Sequence, residues 1–491
     1  MGRDITHSHF KKVDFDRYSS KMSAELDWVC QWFEQQKNIN EALHNPTIGF
    51  EMEMCLVDVD GAPASVNEQL LQQLQDTGIF SQITLELAQF NIELNGSVFK
   101  LTGTALRNMQ QELQQLYRVC QQAAEAIGCN IVMIGSLPSL QEQHLQLDNM
   151  SHMTRYQALN EQVLRSRKGK AIELDIQGPE TLKSIHYDVM LESVATSFQL
   201  HLQLPFSRSV RYYNAAIILS APVVALSANS PFLFGKELWC ETRIPVFEQA
   251  VSVGGYDGAM FGPIKRVSFG SGYARESLLE CFQENQAHYP VLLPEVFDTA
   301  IEDLEHLSLH NGTIWRWNRP LIAFIDSEKQ RQYHLRLEHR VIPAGPTVVD
   351  SIANAAFFYG TITSLATQPL IPEQQLSFEQ AKDNFYLAAK QGLKARLKWL
   401  SGETVSVKAL ILDTLLPMAK TGLQQMQIEA EDIDYYLGII EQRVSSGQNG
   451  AVWQRQYIAE HGKDMRAMTL AYLEHQQMGE PVHTWGLSAK R

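Results

Sequence analysis

The sequence predicts an α+β protein with a helical C-terminal region. Between residues 48 and 56, apolar and other residues alternate with the period of two that is typical of a half-buried strand. Between residues 106 and 127, apolar residues recur with helical spacing. Beyond about residue 372, strand signals vanish and long patterns of good helix formers follow. Strand and helix signals alternate irregularly up to that point, which indicates α+β.

The remaining elements are predicted in chain order. An amphipathic segment at about residues 15–45 predicts a helix that docks on the main body. Further strands are predicted at residues 85–94, 131–134, 197–204 and 333–342, with a helix at residues 212–228 and a glycine-rich stretch at residues 254–272. Two prolines near residue 370 mark a weak break. We therefore predict a main domain of residues 1–370 and a helical region of residues 371–491 packed on it.

Composition excludes several classes of protein. The 491 residues carry a formal net charge of -14 and no Lys/Arg tract, so nucleic acid is not expected as a partner. The six cysteines form no C-x-x-C pair, which predicts a reducing cytoplasmic setting and no zinc site. The longest apolar run, Ala215 to Ala228, is interrupted by Ser220, Pro222 and Ser227, so no membrane association is expected.

Two glutamates on the first strand are the first candidate site residues. Glu51 and Glu53 lie two positions apart, so both carboxylates project from one face while Phe50 and Met52 take the other. Like charges that are buried together need a compensating cation, and a hard divalent metal suits carboxylate oxygens. The alternative is an exposed face of an antiparallel sheet, where alternating acidic residues are common.

A second acidic pair, Glu86 and Glu93, is separated by an odd number of residues. On an unbroken strand these side chains would point to opposite faces. They can share one site only if a bulge or a transition from strand to loop lies between them. The sequence alone does not indicate which is present.

Basic and acidic residues alternate along one face of the last predicted strand. Arg336, Glu338 and Arg340 share one face, so they form either a salt-bridge ladder or an anion site with Glu338 turned towards a metal. Upstream, Gln199 and His201 also share a strand face. Lys265 and Arg266 lie within the glycine-rich stretch, which is either a phosphate-covering loop or an ordinary surface loop.

Several segments taken in order resemble glutamate-cysteine ligases of the second bacterial type. The two most specific segments are G-F-E-M-E at residues 49–53 and S-A-N-S-P at residues 227–231. The resemblance covers roughly residues 45–360. The full series is residues 49–53, Glu86 to Glu93, Arg155-Tyr156, Gln199-x-His201, residues 227–231, His310-Asn311-Gly312 and Arg336-x-Glu338-x-Arg340.

The resemblance implies a glutamine synthetase-like antiparallel sheet, curved into a half-barrel, that holds magnesium ions and ATP. It implies Mg²⁺, with Mn²⁺ as an alternative, bound by Glu51, Glu53, Glu86, Glu93, Glu338 and Gln199. It implies phosphate and phosphoryl contacts for Arg336, Arg340 and His201, and we assign Lys265 and Arg266 to the nucleotide as well. Many relatives have two histidines where this chain has Gln199 and His201, which leaves open which residue reaches the metal.

The function implied is an ATP-dependent carboxylate-amine ligase. Such an enzyme forms an acyl phosphate on glutamate and couples it to an amine, by default cysteine, so the expected partners are ATP, an amino-acid carboxylate and an amine. Two alternatives stay open: a guanidino-type phosphotransferase, and an inactive relative retained for assembly or regulation. Oligomeric state, including a homo-oligomer, is left open.

Overall fold

The computed structural model describes residues 4–37, 46–253, 265–326 and 331–487. The chain is 52% helical and combines helices with a curled antiparallel sheet, so the α+β prediction is confirmed. Part of the predicted glycine-rich stretch, residues 254–264, lies outside the described residues.

The four longest strands lie side by side in the main sheet. In chain order they are β1 Thr47–Asp58, β2 Ile83–Leu85, β3 Asn91–Asn95, β4 Phe99–Lys100, β5 Cys129–Val132, β6 Ile172–Gln177, β7 Thr181–His186, β8 Phe198–Leu204, β9 Phe232–Leu233, β10 Lys236–Glu237, β11 Val267–Ser268, β12 Trp315–Arg316, β13 Asn318–Asp326, β14 Arg331–His339, β15 Arg396–Lys398 and β16 Thr404–Ser406.

The helices dominate the second half of the chain. They are α1 Lys12–Gln36, α2 Asn67–Leu74, α3 Ala105–Ala126, α4 Thr154–Ser166, α5 Ser209–Ser227, α6 Arg243–Ala250, α7 Leu279–His288, α8 Glu305–Gly312, α9 Val348–Thr367, α10 Pro372–Gln375, α11 Phe378–Gln391, α12 Val407–Ala409, α13 Leu416–Gln425, α14 Ala430–Ser446, α15 Gly450–His461 and α16 Met465–Met478. A π-helical turn at Leu410–Leu415 joins α12 to α13.

The main sheet has the strand order β13-β14-β8-β1-β3-β2, and β4 and β5 pair with the two ends of β1. Each of these pairs is antiparallel. β1 is therefore the central strand, and its side chains alternate between two very different surroundings.

One face of the sheet packs on helices. Met52, Leu200 and Leu337 are fully buried there, and α5 and α9 cover the face. Tyr359 of α9 donates its hydroxyl to the carbonyl oxygens of Gly49 and His201, at 3.2 and 3.1 Å. These contacts fix the strands from behind, so the opposite face stays available for a cavity.

The structure corrects one expectation from the sequence and adds detail to two others. The strand predicted at residues 85–94 is wrong: β2 and β3 form a tight antiparallel pair separated by a turn. The helix predicted at residues 212–228 is present as α5, which continues through Pro222. Phe206–Ser227 is apolar and long enough to span a membrane by composition, but 89% of its most apolar window is buried inside the protein. The C-terminal region, predicted to be helical, also contains the small hairpin of β15 and β16.

The C-terminal helices pack on the rest of the chain, chiefly through α11, α13 and α14 against α5 and α9. Asn229, in the S-A-N-S-P segment, donates to the Ala344 carbonyl and the Tyr472 hydroxyl, both at 2.8 Å, and accepts from Gln454 at 3.0 Å. Gly450 lies so close that a Cβ there would meet the Asn229 Oδ1 atom at 1.9 Å. This segment, which follows α5, therefore joins α15 and α16 to the chain that follows β14.

Candidate active site

A cavity of about 330 Å³ lies against the polar face of the main sheet. Its floor is formed by side chains of β1, β8 and β14, and its roof by residues of α4, α7 and α8. The floor is charged and the roof is largely apolar, with Leu159, Phe282 and Leu307 among its residues. Small-molecule sites commonly have this size and this combination of surfaces.

The glutamates of β1 and β3 are brought together by strand register. Glu53 pairs directly with Glu93, and Glu51 pairs with Gln199 on the other side of β1. Residues that are directly opposite in antiparallel strands share a face, so all four side chains project from the cavity side. Glu51, Glu53 and Glu93 are 9%, 8% and 0% exposed, so these carboxylates are buried and not on a solvated sheet face.

Glu86 reaches the same place by a different route. β2 ends at Leu85, and the chain turns over residues 86–90 before β3 begins at Asn91. This is the transition between strand and loop that the odd spacing of Glu86 and Glu93 requires. Glu86 lines the cavity, and its carboxylate accepts a hydrogen bond from the Tyr156 hydroxyl at 3.3 Å.

The acidic cluster is electrostatically strained. Burial, and then the charge of Glu53, raise the pKa of Glu86 to about 7. Burial also raises the pKa of Glu53 to about 7, although Arg340 opposes it. The pKa of Glu93 is raised well above its usual value, first by burial and then by Glu51 and Glu86. Like charges in a buried site favour protonation or a bound cation.

Glu338 is the best compensated acid of the site. It lies opposite His201 on β8 and opposite Arg319 on β13. Its carboxylate accepts from Arg319 at 2.8 Å and from Arg340 at 2.9 Å. Burial works against ionisation, but Arg319 and Arg340 outweigh it and hold the pKa of Glu338 well below its usual range. For Glu338 and Arg340, therefore, the salt-bridge ladder is present.

Arg336 is different from Arg340. It lines the cavity, and its Nε has no hydrogen-bond partner within the part of the chain that the structure describes. Burial lowers the pKa of Arg336, while Glu51 and Glu338 act in the opposite direction. A partly buried guanidinium with a free donor is suited to an anionic oxygen.

The side chains of Gln199 and His201 differ in the hydrogen bonds that they already make. Gln199 donates to Glu53 at 2.8 Å and accepts from Arg340, so its amide bridges these two side chains. The Nε2 of His201 lies 3.1 Å from a carboxylate oxygen of Glu51, and its Nδ1 has no hydrogen-bond partner among the described residues. His201 therefore has a ring nitrogen available to bind a ligand, whereas the side-chain oxygen of Gln199 already accepts a hydrogen bond from Arg340.

Lys265 and Arg266 are not brought to the cavity. Lys265 is exposed in a separate cleft with Lys382 and Lys390. Arg266 is fully buried and donates to the carbonyl oxygens of Thr313, at 2.8 Å, and Pro290. The guanidinium of Arg266 thus supports the backbone near the cavity roof and does not face a ligand.

The charged cavity residues that were not predicted as site residues include Arg155, Glu192 and Arg319. Arg155 was named only as part of the resemblance to the family, and it lies near Glu86. Glu192 lies near both Arg155 and Glu86. Burial, and next the charge of Glu86, raise the pKa of Glu192 to about 8. Arg319 faces Glu338 from β13, a strand that the sequence did not reveal. Glu192 sits in a short 3-10 turn, where periodicity gives no signal.

The donor set suits a hard cation. One oxygen of Glu51, Oε2, is buried and has no hydrogen-bond partner among the described residues. All of the neighbouring carboxylates supply oxygen, which Mg²⁺ prefers. As they stand, no three His, Cys, Asp or Glu side chains of the described residues are close enough to hold a metal ion. Glu53 is turned towards the Ser197 N–H, at 2.6 Å, and Glu338 towards two arginines, so ligation requires side-chain rotation.

Comparison with known proteins identifies the family. The sequence profile of glutamate-cysteine ligase family 2 matches residues 47–471. The chain belongs to this family. Its members are ligases that form carbon-nitrogen bonds, and this chain is a ligase of that class. No curated protein sequence matches the chain at a significant level.

Solved structures resemble the chain in fold. A glutamate-cysteine ligase from Francisella tularensis, in complex with AMP, has a TM-score of 0.55 and 13% identity over 91% of this chain and 90% of that chain. A bifunctional glutathione synthetase from Pasteurella multocida has a TM-score of 0.49 and 12% identity over 93% of this chain and 55% of that chain. At such identities, the first likeness supports the fold alone.

Proposed function

We propose that this ligase uses ATP and Mg²⁺ to activate the γ-carboxylate of glutamate and couples it to an amine, by default cysteine. The observation that carries the proposal is a single buried sheet face on which Glu51, Glu53, Glu93 and Glu338 adjoin Arg336. Such a face suits polyphosphate that arrives with divalent cations, because carboxylates bind the cations and a guanidinium binds phosphate oxygens.

The chemistry explains why nucleotide is needed. An oxygen of the substrate carboxylate bonds to the γ-phosphorus of ATP as ADP leaves, which gives an acyl phosphate. The amine then bonds to the acyl carbon, the carbon-oxygen bond breaks, and phosphate leaves. Bound Mg²⁺ supplies charge neutralisation at the phosphates. Arg336, fixed on β14, supplies donors to the transferred phosphoryl group, and such preorganised donors lower the barrier.

The metal ligands we propose are Glu51, Glu53, Glu86, Glu93 and Glu338, with His201 in preference to Gln199. The side chain of Gln199 is hydrogen-bonded to Glu53 and Arg340, whereas the Nδ1 of His201 has no hydrogen-bond partner among the described residues. Arg340 supports Glu338 and Gln199, so we propose that it orients ligands and contributes positive charge near the phosphoryl group. Lys265 and Arg266 are not part of this proposal.

A release assay tests the function directly. ADP and free phosphate are measured with Mg-ATP, glutamate and a panel of amines that includes cysteine, and products are identified by mass spectrometry. The proposal predicts equal ADP and phosphate and a γ-glutamyl amide. ADP without free phosphate or amide would instead favour a phosphotransferase. Failure to bind Mg-ATP in calorimetry would favour an inactive relative.

A further inference from the structure

The roof of the cavity includes α8, and the residue at the N-cap position of this helix provides no capping side chain. α8 contributes Leu307, Ser308 and Asn311 to the cavity. The residue before α8 is Leu304, whose φ of 55° is left-handed and whose side chain has no oxygen to accept the first N–H groups. Helix starts normally use a side-chain oxygen for this purpose.

The missing acceptor comes from α1. Glu25, near the middle of α1, accepts from the N–H of His306 at 3.3 Å and from the N–H of Leu307 at 2.7 Å. These are the second and third residues of α8, the positions whose N–H groups a capping oxygen normally satisfies. The negative charge also lies at the positive end of the helix dipole. Glu25 is 2% exposed, so this contact is shielded from water.

His306 extends the contact to a second part of the roof. Its Nδ1 lies 2.5 Å from Glu25, and its Nε2 accepts from the N–H of Phe297 at 3.1 Å. The imidazole is therefore neutral with its proton on Nδ1. Tyr18, about two turns before Glu25 on α1, donates to the His306 carbonyl oxygen at 2.6 Å. Phe297 also lines the cavity, so one buried cluster holds both roof segments.

The same helix also touches the sheet. Trp28 of α1 lies 4.6 Å, ring to ring, from Tyr333 of β14, the strand that carries Arg336. Ser23 accepts from Gln286 of α7 at 2.8 Å, and α7 supplies Phe282 to the roof. α1 therefore bridges the charged floor and the apolar roof from outside the cavity.

We propose that Glu25 is a positioning residue for substrate binding: through His306 and Leu307 it sets the height of the apolar roof above the charged floor. It touches no ligand itself. Loss of the contact releases the start of α8 and the Phe297 segment, and the cavity loses its fit to the bound nucleotide. The chemistry on the sheet is left in place, so affinity falls more than turnover at saturation. This inference rests on the proposed ATP-dependent function.

The test compares Glu25→Gln and Glu25→Ala with Val29→Ala. Val29 is fully buried one turn further along α1 and makes no polar contact with α8, so its truncation loosens α1 by packing alone. Glu25→Gln keeps one acceptor oxygen and is the variant expected to fold. Steady-state ADP release is measured well below the melting temperature of each variant, together with calorimetric affinity for Mg-ATP.

We expect Glu25→Gln to raise the KM for ATP about fivefold and Glu25→Ala about tenfold, with kcat changed less than twofold. Val29→Ala should lower the melting temperature but leave KM within twofold. Equal KM values for wild type and Glu25→Gln, or equal KM rises in Val29→Ala, would overturn the positioning role. If wild type binds Mg-ATP but releases no ADP, the proposed function fails while the affinity comparison still decides the role of Glu25.

Discussion

The two faces of the main sheet are built from the same strands but differ in what they bury. On the helix-covered face, Met52 and Leu200 are fully buried in the apolar core between the sheet and its helices. On the cavity face, their immediate neighbours Glu53 and Gln199 belong to a buried polar network. One face stabilises the fold through apolar burial, while the other holds like charges that destabilise it in the absence of a cation. Neighbouring positions should therefore separate stability from activity.

The largest effect is expected on the cavity face. Glu53→Gln removes a charged oxygen ligand but keeps shape, so we expect a loss of about 10³-fold in kcat/KM, or about 4 kcal/mol of transition-state stabilisation. The melting temperature should stay equal or rise. ADP release and thermal unfolding check this, with the exposed Glu142→Gln as the matched control. Activity within a few-fold of wild type would remove Glu53 from the ligand set.

The adjacent residue should show the reverse pattern. Met52→Ala leaves a cavity in the apolar core behind β1, so we expect the free energy of unfolding to fall by about 3 kcal/mol. Activity per folded molecule should fall less than tenfold, because the cavity face is untouched. Urea unfolding and ADP release at low temperature measure the two quantities. A loss of activity as large as that of Glu53→Gln would show that the two faces are not independent.

The pH dependence of stability should differ between the faces, and Glu86 tests the cavity face. Its folded pKa, raised to about 7 by burial and Glu53, lies above the unfolded value of 4.5. The group therefore favours folding below pH 4.5, and this contribution is lost as pH rises through 7. Without divalent metal, Glu86→Gln should stabilise the protein by about 2 kcal/mol at pH 8 and have little effect at pH 4.5. Parallel pH profiles for variant and wild type would contradict this.

His339 tests the helix-covered face, with the smallest expected effect. It stacks on Phe358 at 3.9 Å, and burial, with Arg243 next, lowers its pKa to about 3. Because the folded pKa is depressed, the neutral ring stabilises the fold above pH 6.5 and this contribution is lost as pH falls towards 3. When the pH falls from 7.5 to 5.5, the free energy of unfolding should drop by about 1 kcal/mol more in wild type than in His339→Phe. This variant keeps the ring stacked on Phe358. Urea unfolding at both pH values checks the difference.

Period-two alternation was enough to assign the face of Glu51 and Glu53, because β1 is regular and the apolar residues next to these glutamates, Phe50, Met52 and Met54, lie on the other side. Strand register is a tertiary property, so the pairing of Glu53 with Glu93 was not visible in either segment alone. The odd spacing of Glu86 and Glu93 correctly required an interruption, but the turn at residues 86–90 itself was missed.

The sequence also could not separate Arg336, which lies on β14, from Arg340, which follows the last residue of that strand. Arg336 and Arg340 have the same spacing from Glu338, and only the packed structure shows that Arg340 is paired with it. Arg319 was missed because β13 itself was not predicted, and its Pro320 disfavoured a strand. Lys265 and Arg266 were placed at the nucleotide on glycine content alone, a weak signal. The division at residue 370, with residues 371–491 as a separate helical region, stays a prediction.

The central claim is that the acidic residues of the cavity face bind divalent cations together with nucleotide. Mn²⁺ binding, measured by electron paramagnetic resonance in the presence of ADP, tests it most directly for wild type, Glu51→Gln and Glu93→Gln. The account predicts tightly bound Mn²⁺ in wild type that is lost or weakened at least tenfold in each variant. Wild-type Mn²⁺ binding that is absent, or unchanged by both substitutions, would contradict it.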